Sequence, residues 1–326
     1  MGDVAMTVPV LKALTEQNPN LKITVVTRGA FASLFKIVPG VDVIKADLKG
    51  EHKGILGLWN LSKEINKLGI DAVADLHNVL RTHILKAFIR TRPFVRIDKG
   101  RKEKKALVSG SDFKQLKSTH QRYCDVFEKL NLKADLKDPN FPSKSNLKDH
   151  QKSLIGEYNS LIGIAPFAAF KGKVYPLEQM KTVIDELATT GKVILFGGGE
   201  KETQILDGLS EANENIINMA GKVSFEDELD IISNLDVMVS MDSGNAHLAA
   251  MMGVNVVTLW GVTHPYAGFY PFNQDPNNAL LADRSIYPKI PTSIYGNKQP
   301  EGYENAMNSI DPQLVVKKVI SVINRS

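Results

Sequence analysis

The chain has 326 residues, of which 43% are hydrophobic and 23% are charged, and both values are ordinary for globular proteins. This length exceeds one ordinary compact domain and suits two domains with ample cores. The single cysteine, Cys124, excludes an intramolecular disulfide framework, and no apolar run approaches the roughly 18 to 20 residues of a membrane span. With no signal peptide in the sequence, we expect a protein of the reducing cytoplasm.

The net charge of +4 hides an asymmetry between the two halves of the chain. Residues 1–150 hold 27 basic against 16 acidic residues, a net of +11, whereas residues 151–326 hold 13 against 20, a net of −7. Much of the basic excess lies between Lys86 and Arg122. One interpretation is a solvated face; the other is a surface for an anionic acceptor or an anionic lipid leaflet, where each Lys or Arg contributes about 1 kcal/mol. We expect no nucleic-acid partner, because this stretch lacks interleaved aromatic residues and a recognisable binding motif.

Helical and strand patterns alternate along the N-terminal half of the chain. A helix with Pro9 in its first turns runs to Gln17, followed by strands at 22–27, 41–45 and 72–76 and by helices near 30–37 and 56–68. This alternation predicts a parallel, doubly wound sheet. Because such a domain rarely begins with a helix, we expect that the first strand of its sheet is missing from this chain.

A second α/β array follows a segment at 137–149 that is rich in Pro, Ser, Asn and Lys and is typical of an interdomain linker. The array has predicted strands at 160–165 and 192–197, a strand and turn at 216–222, a helix near 177–189, and a final helix from Asp311 to about 324. We therefore divide the chain into an N-terminal domain (1–148), a C-terminal domain (149–308) and a C-terminal helical segment (309–326).

One βαβ unit is predicted between residues 235 and 261, in the sequence LDVMVSMDSGNAHLAAMMGVNVVTLWG. A strand at 236–241 leads through a polar turn into a helix at 246–252, and a buried strand follows at 254–260. We expect Asp242 and Ser243 to cap the helix.

The amino end of this helix is a predicted anion site. Gly244 lets backbone N–H groups approach a ligand closely, and His247, about one helical turn after Ser243, can reach the same ligand. The alternative is a capped helix without any ligand, which many α/β proteins contain. A phosphate group is the ligand that suits the arrangement.

The order D-S-G-x-x-H-L-A-A, followed by a strand and then W-G-x-T, resembles the nucleotide-sugar motif of the ADP-heptose:lipopolysaccharide heptosyltransferases, the ninth glycosyltransferase family. The resemblance covers nearly the whole chain and is densest from Lys173 to Thr263. It implies a GT-B type fold, with two doubly wound parallel-sheet (Rossmann-like) domains and a substrate cleft between them. It also implies that the helix of segment 309–326 packs back on the N-terminal domain.

The resemblance assigns donor binding to the C-terminal half. Lys173 aligns with the family's phosphate-binding lysine, with Lys171 as a near competitor, and Tyr175 stands where the family has Trp. Glu200 follows three glycines and is a candidate contact to ribose or base. Met219 is a candidate for the adenine wall, although a core role is equally open. The implied donor-binding set is Lys173, Glu200, Met219, Asp242, Ser243, Gly244, His247 and Thr263.

The acceptor side and the catalytic base are assigned to the N-terminal half. The opening GDV-x-x-T-x-P resembles the family motif whose aspartate is the proposed general base, here Asp3, although a helix-capping Asp is the simpler interpretation of these residues alone. His77 lies in a D-L-H segment at a predicted strand end and is an acceptor candidate, with a structural role as the alternative. Arg101 and Lys102, in the basic run, are the other acceptor candidates.

The resemblance implies an inverting glycosyltransferase that moves a heptose or a similar sugar from an ADP-sugar to an anionic lipopolysaccharide core. Such an enzyme would contact the inner face of the inner membrane peripherally. We expect no cofactor and no metal, since no D-x-D pair follows a strand. Two alternatives remain: a nucleotide-sugar-binding protein without catalysis, and an epimerase or hydrolase of GT-B type. An NAD-dependent dehydrogenase is disfavoured because the G-x-G-x-x-G fingerprint is missing.

Overall fold

A computed structural model describes residues 1–325, which form two compact α/β units. The first unit contains Met1, Asp3–Arg101 and Lys117–Asn140. The second contains Gly2, Lys102–Leu116 and the chain from Phe141 onward. Each unit is described by itself below.

Up to residue 140 the helices are short and amphipathic and the strands are only half-buried. The helices are α1 (Gly2–Ala5), α2 (Thr7–Gln17), α3 (Gly54–Lys67), α4 (Leu80–Phe88), α5 (Arg101–Ser109) and α6 (Thr119–Glu128), with a 3₁₀ segment at Gly29–Phe35. The strands are β1 (Ile23–Thr27), β2 (Val41–Lys45), β3 (Val73–Asp75) and β4 (Phe94–Arg96).

In the first unit the strands form two separate parallel pairs. β1 pairs with β2 in a register that matches Ile23 with Val41, and β3 pairs with β4 in a register that matches Val73 with Phe94. One face of α3, at Leu58, Leu61 and Ile65, packs into the core beside these pairs. The predicted alternation of helices and parallel strands is present, although in this unit the strands do not form one continuous sheet.

The second unit is built on a six-stranded parallel sheet with strand order β10-β9-β8-β5-β6-β7. Its strands are β5 (Leu161–Ala165), β6 (Lys192–Leu195), β7 (Ile216–Asn218), β8 (Val237–Met241), β9 (Asn255–Trp260) and β10 (Ala279–Leu281). Its further helices are α7 (Asp149–Ile155), α8 (Leu177–Leu187), α9 (Glu200–Ser210), α10 (Phe225–Ser233), α11 (Gly244–Met251) and α12 (Pro312–Ile323).

Every residue of the two central strands, β5 and β8, is buried, as expected for a parallel sheet with helices on both faces. Parallel strands bring their carboxyl ends to one edge of the sheet, where ligands bind in folds of this type. The connections after the strands therefore carry the candidate site residues.

The segment 102–116 packs in the second unit, whereas the sequence analysis placed it in the N-terminal domain. Leu107 and Leu116 share an apolar cluster with Ala267, and the N–H of Leu116 donates to the carbonyl oxygen of Tyr266 at 2.9 Å. The ammonium of Lys104 lies 3.9 Å from the ring centroid of Phe269. These long-range contacts follow from tertiary packing, which charge and composition could not reveal.

The C-terminal helix packs against the core of the second unit, and the expected contact of this helix with the N-terminal domain stays a prediction. Its valines, among them Val315 and Val319, are buried in the main core of this unit, and α12 packs against α8, β8 and β9. Tyr175 reinforces this packing, because its hydroxyl donates to the carbonyl oxygen of Ile310 at 2.6 Å. Within residues 1–325, α12 and every other helix lack the combined length and apolar character needed to cross a bilayer.

Candidate active site

The β8–α11–β9 unit forms the centre of the candidate site, and its predicted elements agree with the structure to within two residues. β8 and β9 are consecutive along the chain and neighbours in the parallel sheet. Gly253 ends the connection after α11 with φ +82°, and a Cβ there would lie 2.7 Å from Cγ of Phe141. Both the backbone angle and the lack of space require glycine at this position.

The predicted capping of this helix is wrong. Ser243 occupies the N-cap position but its side chain makes no capping hydrogen bond; its hydroxyl instead lies 3.0 Å from the hydroxyl of Ser240. The carboxylate of Asp242 turns away towards a lysine and a threonine from other loops. The first N–H groups of α11 therefore have no side-chain cap, which leaves the positive end of the helix open to an anionic ligand.

Lys173, Asp242 and Thr263 form a nearly buried polar triad. The Nζ atom of Lys173 lies 2.9 Å from Oδ2 of Asp242, and the hydroxyl of Thr263 donates to the same oxygen at 2.9 Å. The side chains of Lys173 and Asp242 are only 12% and 10% exposed. An ion pair with so little water needs such extra hydrogen bonds to offset its desolvation. The contact fixes the lysine ammonium beside the open end of α11.

His247, on the first turns of α11, has a buried ring whose Nδ1 atom finds no partner among the described residues. Burial, followed by the charge of Lys173, lowers the pKa of His247 to about 4, so the ring is neutral at pH 7. A Cβ built on Gly2 would lie 3.1 Å from Cδ2 of this ring, so a larger residue at position 2 would crowd it. A buried polar atom without a partner is rare and is explained if a ligand supplies the missing hydrogen bond.

Glu200 and Met219 follow β6 and β7, on the opposite side of β5 from Asp242. Glu200 is exposed at the first residue of α9, after Gly199 with φ +81°. Met219 is buried, and its N–H donates to the carbonyl oxygen of Leu195 at 3.0 Å. Both lie at the carboxyl edge of the same sheet as the triad, but they make no direct contact with it in the hydrogen bonds and ion pairs of residues 1–325.

In the first unit, His77 follows the carboxyl end of β3. Its N–H donates to Oδ1 of Asp75 at 3.0 Å, while Oδ2 of Asp75 is buried without a partner among residues 1–325. Desolvation, followed by the charge of Lys99, lowers the pKa of His77, and the charges of Asp3 and Asp75 oppose this shift. Asp3, Asp75 and Lys99 thus lie within electrostatic range of His77.

Asp3 lies exposed on α1, close to the start of the chain. The buried hydroxyl of Tyr123 donates to the backbone carbonyl oxygen of Asp3 at 3.2 Å and so holds the backbone of this residue. Arg101 and Lys102 are exposed at the start of α5, where Arg101 belongs to the first unit and Lys102 to the second. Arg101 thus shares the first unit with His77, whereas Lys102 does not.

Sequence reasoning missed one residue that shapes the donor side. Gly296 has φ +79°, and a Cβ there would lie 2.4 Å from Cδ of Lys173. The lysine side chain therefore runs along the bare backbone at this glycine. The only signal was a Tyr-Gly-Asn turn inside a long irregular region, which does not indicate a contact with a distant loop.

The buried histidines at the sheet edge predict a pH-dependent stability. Burial, followed by the charge of Arg284, lowers the pKa of His264 to about 4, while its Nδ1 accepts from the N–H of Tyr266. The native state therefore binds fewer protons than the unfolded chain, and stability is lost as pH falls from about 6.5 towards 4. Between pH 7 and pH 5, His264 should cost the parent chain about 2 kcal/mol of unfolding free energy. We expect His264→Asn, which keeps an acceptor oxygen, to abolish this part of the pH dependence. Urea denaturation at both pH values checks this, and a loss equal to that of the parent chain would contradict it.

The structure thus defines a parallel α/β protein with a lysine and an uncapped helix N-terminus at one sheet edge. The family model described as Glycosyltransferase family 9 (heptosyltransferase) matches residues 58–292. The chain belongs to this family and is a glycosyltransferase. The predicted family and the predicted GT-B type α/β fold are thereby confirmed.

Relatives and solved structures cover the full chain at low identity. The chain is 22% identical to lipooligosaccharide heptosyltransferase 2 of Campylobacter jejuni over 100% of its own length and 96% of that protein. A family 9 glycosyl transferase from Veillonella parvula aligns with TM-score 0.76 at 22% identity, covering 100% of this chain and 95% of that one. An E. coli heptosyltransferase solved with ADP aligns with TM-score 0.71 at 18% identity, covering 98% and 96%. At these identities the structures show a shared fold.

Proposed function

We propose that this glycosyltransferase moves a heptose or a similar sugar from an ADP-sugar to a lipopolysaccharide core, with inversion at the anomeric carbon and without a metal ion. The observation that carries the proposal is the ammonium of Lys173, fixed by Asp242 beside the uncapped end of α11 and the partnerless Nδ1 of His247. The similarity to an E. coli heptosyltransferase solved with ADP supports the choice of nucleotide.

The leaving group of such a transfer is a nucleoside diphosphate, so the donor side must stabilise growing negative charge on phosphate oxygens. The ammonium group of Lys173 has three N–H bonds, and one of them contacts Asp242. The others can donate hydrogen bonds to phosphate oxygens. The open N–H groups of α11 add the positive end of a helix dipole. The neutral ring of His247 donates or accepts a hydrogen bond without adding charge. Met219 and Glu200, after β7 and β6, are the proposed contacts to the adenosine.

Asp3 is the proposed general base. Its carboxylate takes the proton from an acceptor hydroxyl as that oxygen forms a bond to the anomeric carbon. The bond from the anomeric carbon to the phosphate oxygen breaks in the same displacement, and its electron pair leaves with ADP. Attack from the face opposite the leaving group inverts the configuration. His77 is the proposed contact to the acceptor, and it lies close enough to Asp3 for the charge of that carboxylate to act on the pKa of its ring.

The acceptor is proposed to be an anionic lipopolysaccharide core, and two relatives whose names are lipooligosaccharide heptosyltransferase and lipopolysaccharide core heptosyltransferase support this class of acceptor. Lys99, Arg101 and Lys102 supply positive charge in the region 99–102, and the proposed working place is the cytoplasm, at the inner face of the inner membrane. An acceptor anchored in a bilayer would require only peripheral contact from the enzyme.

The direct test is product formation from ADP-heptose and a delipidated core acceptor, with the product's anomeric configuration read by NMR. Formation of one anomer, opposite to that of the donor, is expected; retention or hydrolysis without acceptor would overturn the mechanism. A chelator should leave the rate unchanged. In the first unit, Glu51, His52 and Glu64 form a group of potential metal ligands whose ligand atoms lie within 4.8 Å of one another. If a chelator changed the rate, a metal bound by this group would be the first explanation to test.

The basic start of α5 is expected to serve the acceptor and not the donor. Serine at Arg101, Lys102 and Lys105 should raise the acceptor KM about tenfold, because three exposed charges each contribute on the order of 0.5 kcal/mol, and leave the donor KM unchanged. A matched control replaces three exposed lysines of the second unit, Lys152, Lys289 and Lys317, with serine. Equal changes in the two KM values, or an acceptor KM that matches the control, would show that these residues are only solvated.

A further inference from the structure

Exposed apolar side chains concentrate at the amino-terminal turns of α3 and α4 in the first unit. Leu80 is 78% exposed, Leu56 77%, Ile55 63% and Trp59 45%. The first three are the most exposed large hydrophobic side chains of residues 1–325. Single exposed hydrophobic residues need no explanation, but a contiguous group on one face marks an interaction surface.

The four side chains form one patch, here named the α3–α4 patch. Ile55 and Leu56 precede Trp59 by four and three residues, so all three share one face of α3. Ile55 and Leu80 both line a groove of about 310 Å³ between the two helices. The groove is lined by His52, Gly54, Arg81 and six aliphatic residues: Leu48, Ile55, Leu58, Val79, Leu80 and Ile84. Leu58 belongs to the core with Leu61 and Ile65, whereas Ile55, Leu56 and Trp59 are exposed on a second apolar face of α3.

Basic side chains surround the patch. The ammonium of Lys63 lies 3.2 Å from the ring centroid of Trp59, and the exposed Arg81 lines the mouth of the groove. Lys53, at the N-cap of α3, is exposed as well. Two acidic residues lie nearby: Glu64, which is hydrogen-bonded to the ring of His52 at 3.0 Å, and the exposed Glu51. A tryptophan and aliphatic residues flanked by Lys and Arg are the composition that settles at a membrane interface, where the rings and alkyl stems enter and the charges stay with the headgroups.

We infer that the α3–α4 patch docks on the surface of an anionic lipid bilayer. Ile55, Leu56, Trp59 and Leu80 enter the boundary between headgroups and acyl chains, and Lys53, Lys63 and Arg81 face the lipid phosphates. A second copy of the chain fits less well, because a two-fold contact through this patch would place the same cations of both copies against each other. The inference deepens the proposed function and rests on its acceptor class, since a lipid-anchored acceptor is presented at such a surface.

Trp59 provides a direct readout, because the only other tryptophan, Trp260, is 1% exposed in the second unit. On titration with phosphatidylglycerol-containing vesicles the emission of the full chain should shift to the blue. Trp59→Phe should abolish the shift and leave co-sedimentation with the vesicles largely intact. A shift that persists in Trp59→Phe, or no shift in the parent chain, would overturn the inference.

Co-sedimentation measures the energetic share of the patch. The double variant Leu56→Ser, Leu80→Ser should lower the partition coefficient at least tenfold. The matched control replaces an exposed isoleucine and an exposed leucine of the second unit (Ile286→Ser, Leu314→Ser) and should change the coefficient less than twofold. Vesicles of phosphatidylcholine alone should bind at least tenfold more weakly. Equal loss in both variants, equal binding to both vesicles, or a concentration-dependent dimer that disappears only in the patch variant would each overturn the inference. ADP titration of the patch variant separates the two proposals, because the proposed donor site should bind ADP unchanged even when vesicle binding is lost.

Discussion

Replacing Lys173 with methionine should lower kcat about 100- to 1,000-fold, the usual effect of removing one group that stabilises transition-state charge. The methionine keeps the alkyl stem that packs at Gly296 but removes the ammonium that contacts Asp242. The same change removes the cation that neutralises the buried Asp242 carboxylate, which keeps its hydrogen bond from the Thr263 hydroxyl. Because the buried charge is then uncompensated, the unfolding free energy should fall by about 3 to 5 kcal/mol. Steady-state kinetics and urea denaturation measure the two effects separately.

A double variant separates the two effects. Lys173→Met with Asp242→Asn removes the orphaned charge, so stability should largely return while kcat stays low. The matched single control is Lys171→Met, because Lys171 is an exposed lysine of the same loop. If Lys171→Met lowers kcat as far as Lys173→Met does, or if the double variant regains full activity, the assignment of Lys173 as the diphosphate contact is wrong.

Asp3→Asn should lower turnover about 100- to 10,000-fold, because an amide cannot take the proton from the acceptor hydroxyl. ADP binding should not change, since Asp3 is assigned to the acceptor reaction alone. The fold should also be retained, because Tyr123 contacts the backbone carbonyl of Asp3 and not its side chain. Single-turnover assays with donor and acceptor, alongside calorimetric ADP titration, measure both quantities.

Asp71→Asn, at an exposed carboxylate before β3, is the matched control for this variant and should retain the parent rate. A turnover of Asp3→Asn within a few-fold of the parent would remove Asp3 from the mechanism. Another carboxylate near His77 would then have to act as base, and Asp75, with its partnerless buried oxygen, would be the first to test.

Local pattern was sufficient to predict the β8–α11–β9 unit. The run of buried apolar residues in β8, the polar turn and the stop at Gly253 are all properties of adjacent residues, so they can be read without knowing the fold. The role of Asp242 could not be read in this way. A carboxylate at a strand end can cap its own helix or pair with a cation from another loop, and only the tertiary arrangement decides that it pairs with Lys173.

Long-range packing explains the other differences. The basic composition of residues 102–116 suggested membership of the basic N-terminal half, but two leucines of this segment are buried against the loop after β9. Likewise, the valine stripe of α12 predicts an amphipathic helix without specifying which core receives it. The charge and amphipathicity of an element indicate which of its faces is buried. Which other element covers that face depends on the fold of the whole chain.

The most direct test of the account is calorimetric titration of the parent chain and of His247→Ala with ADP, and in parallel with UDP and NAD, each with and without a chelator. The account predicts that ADP binds the parent chain more tightly than UDP or NAD, that the chelator has no effect, and that His247→Ala weakens ADP binding at least tenfold with the fold intact by circular dichroism. Absence of ADP binding to the parent chain, or equal affinity in His247→Ala, would contradict the assignment of this sheet edge as the donor site.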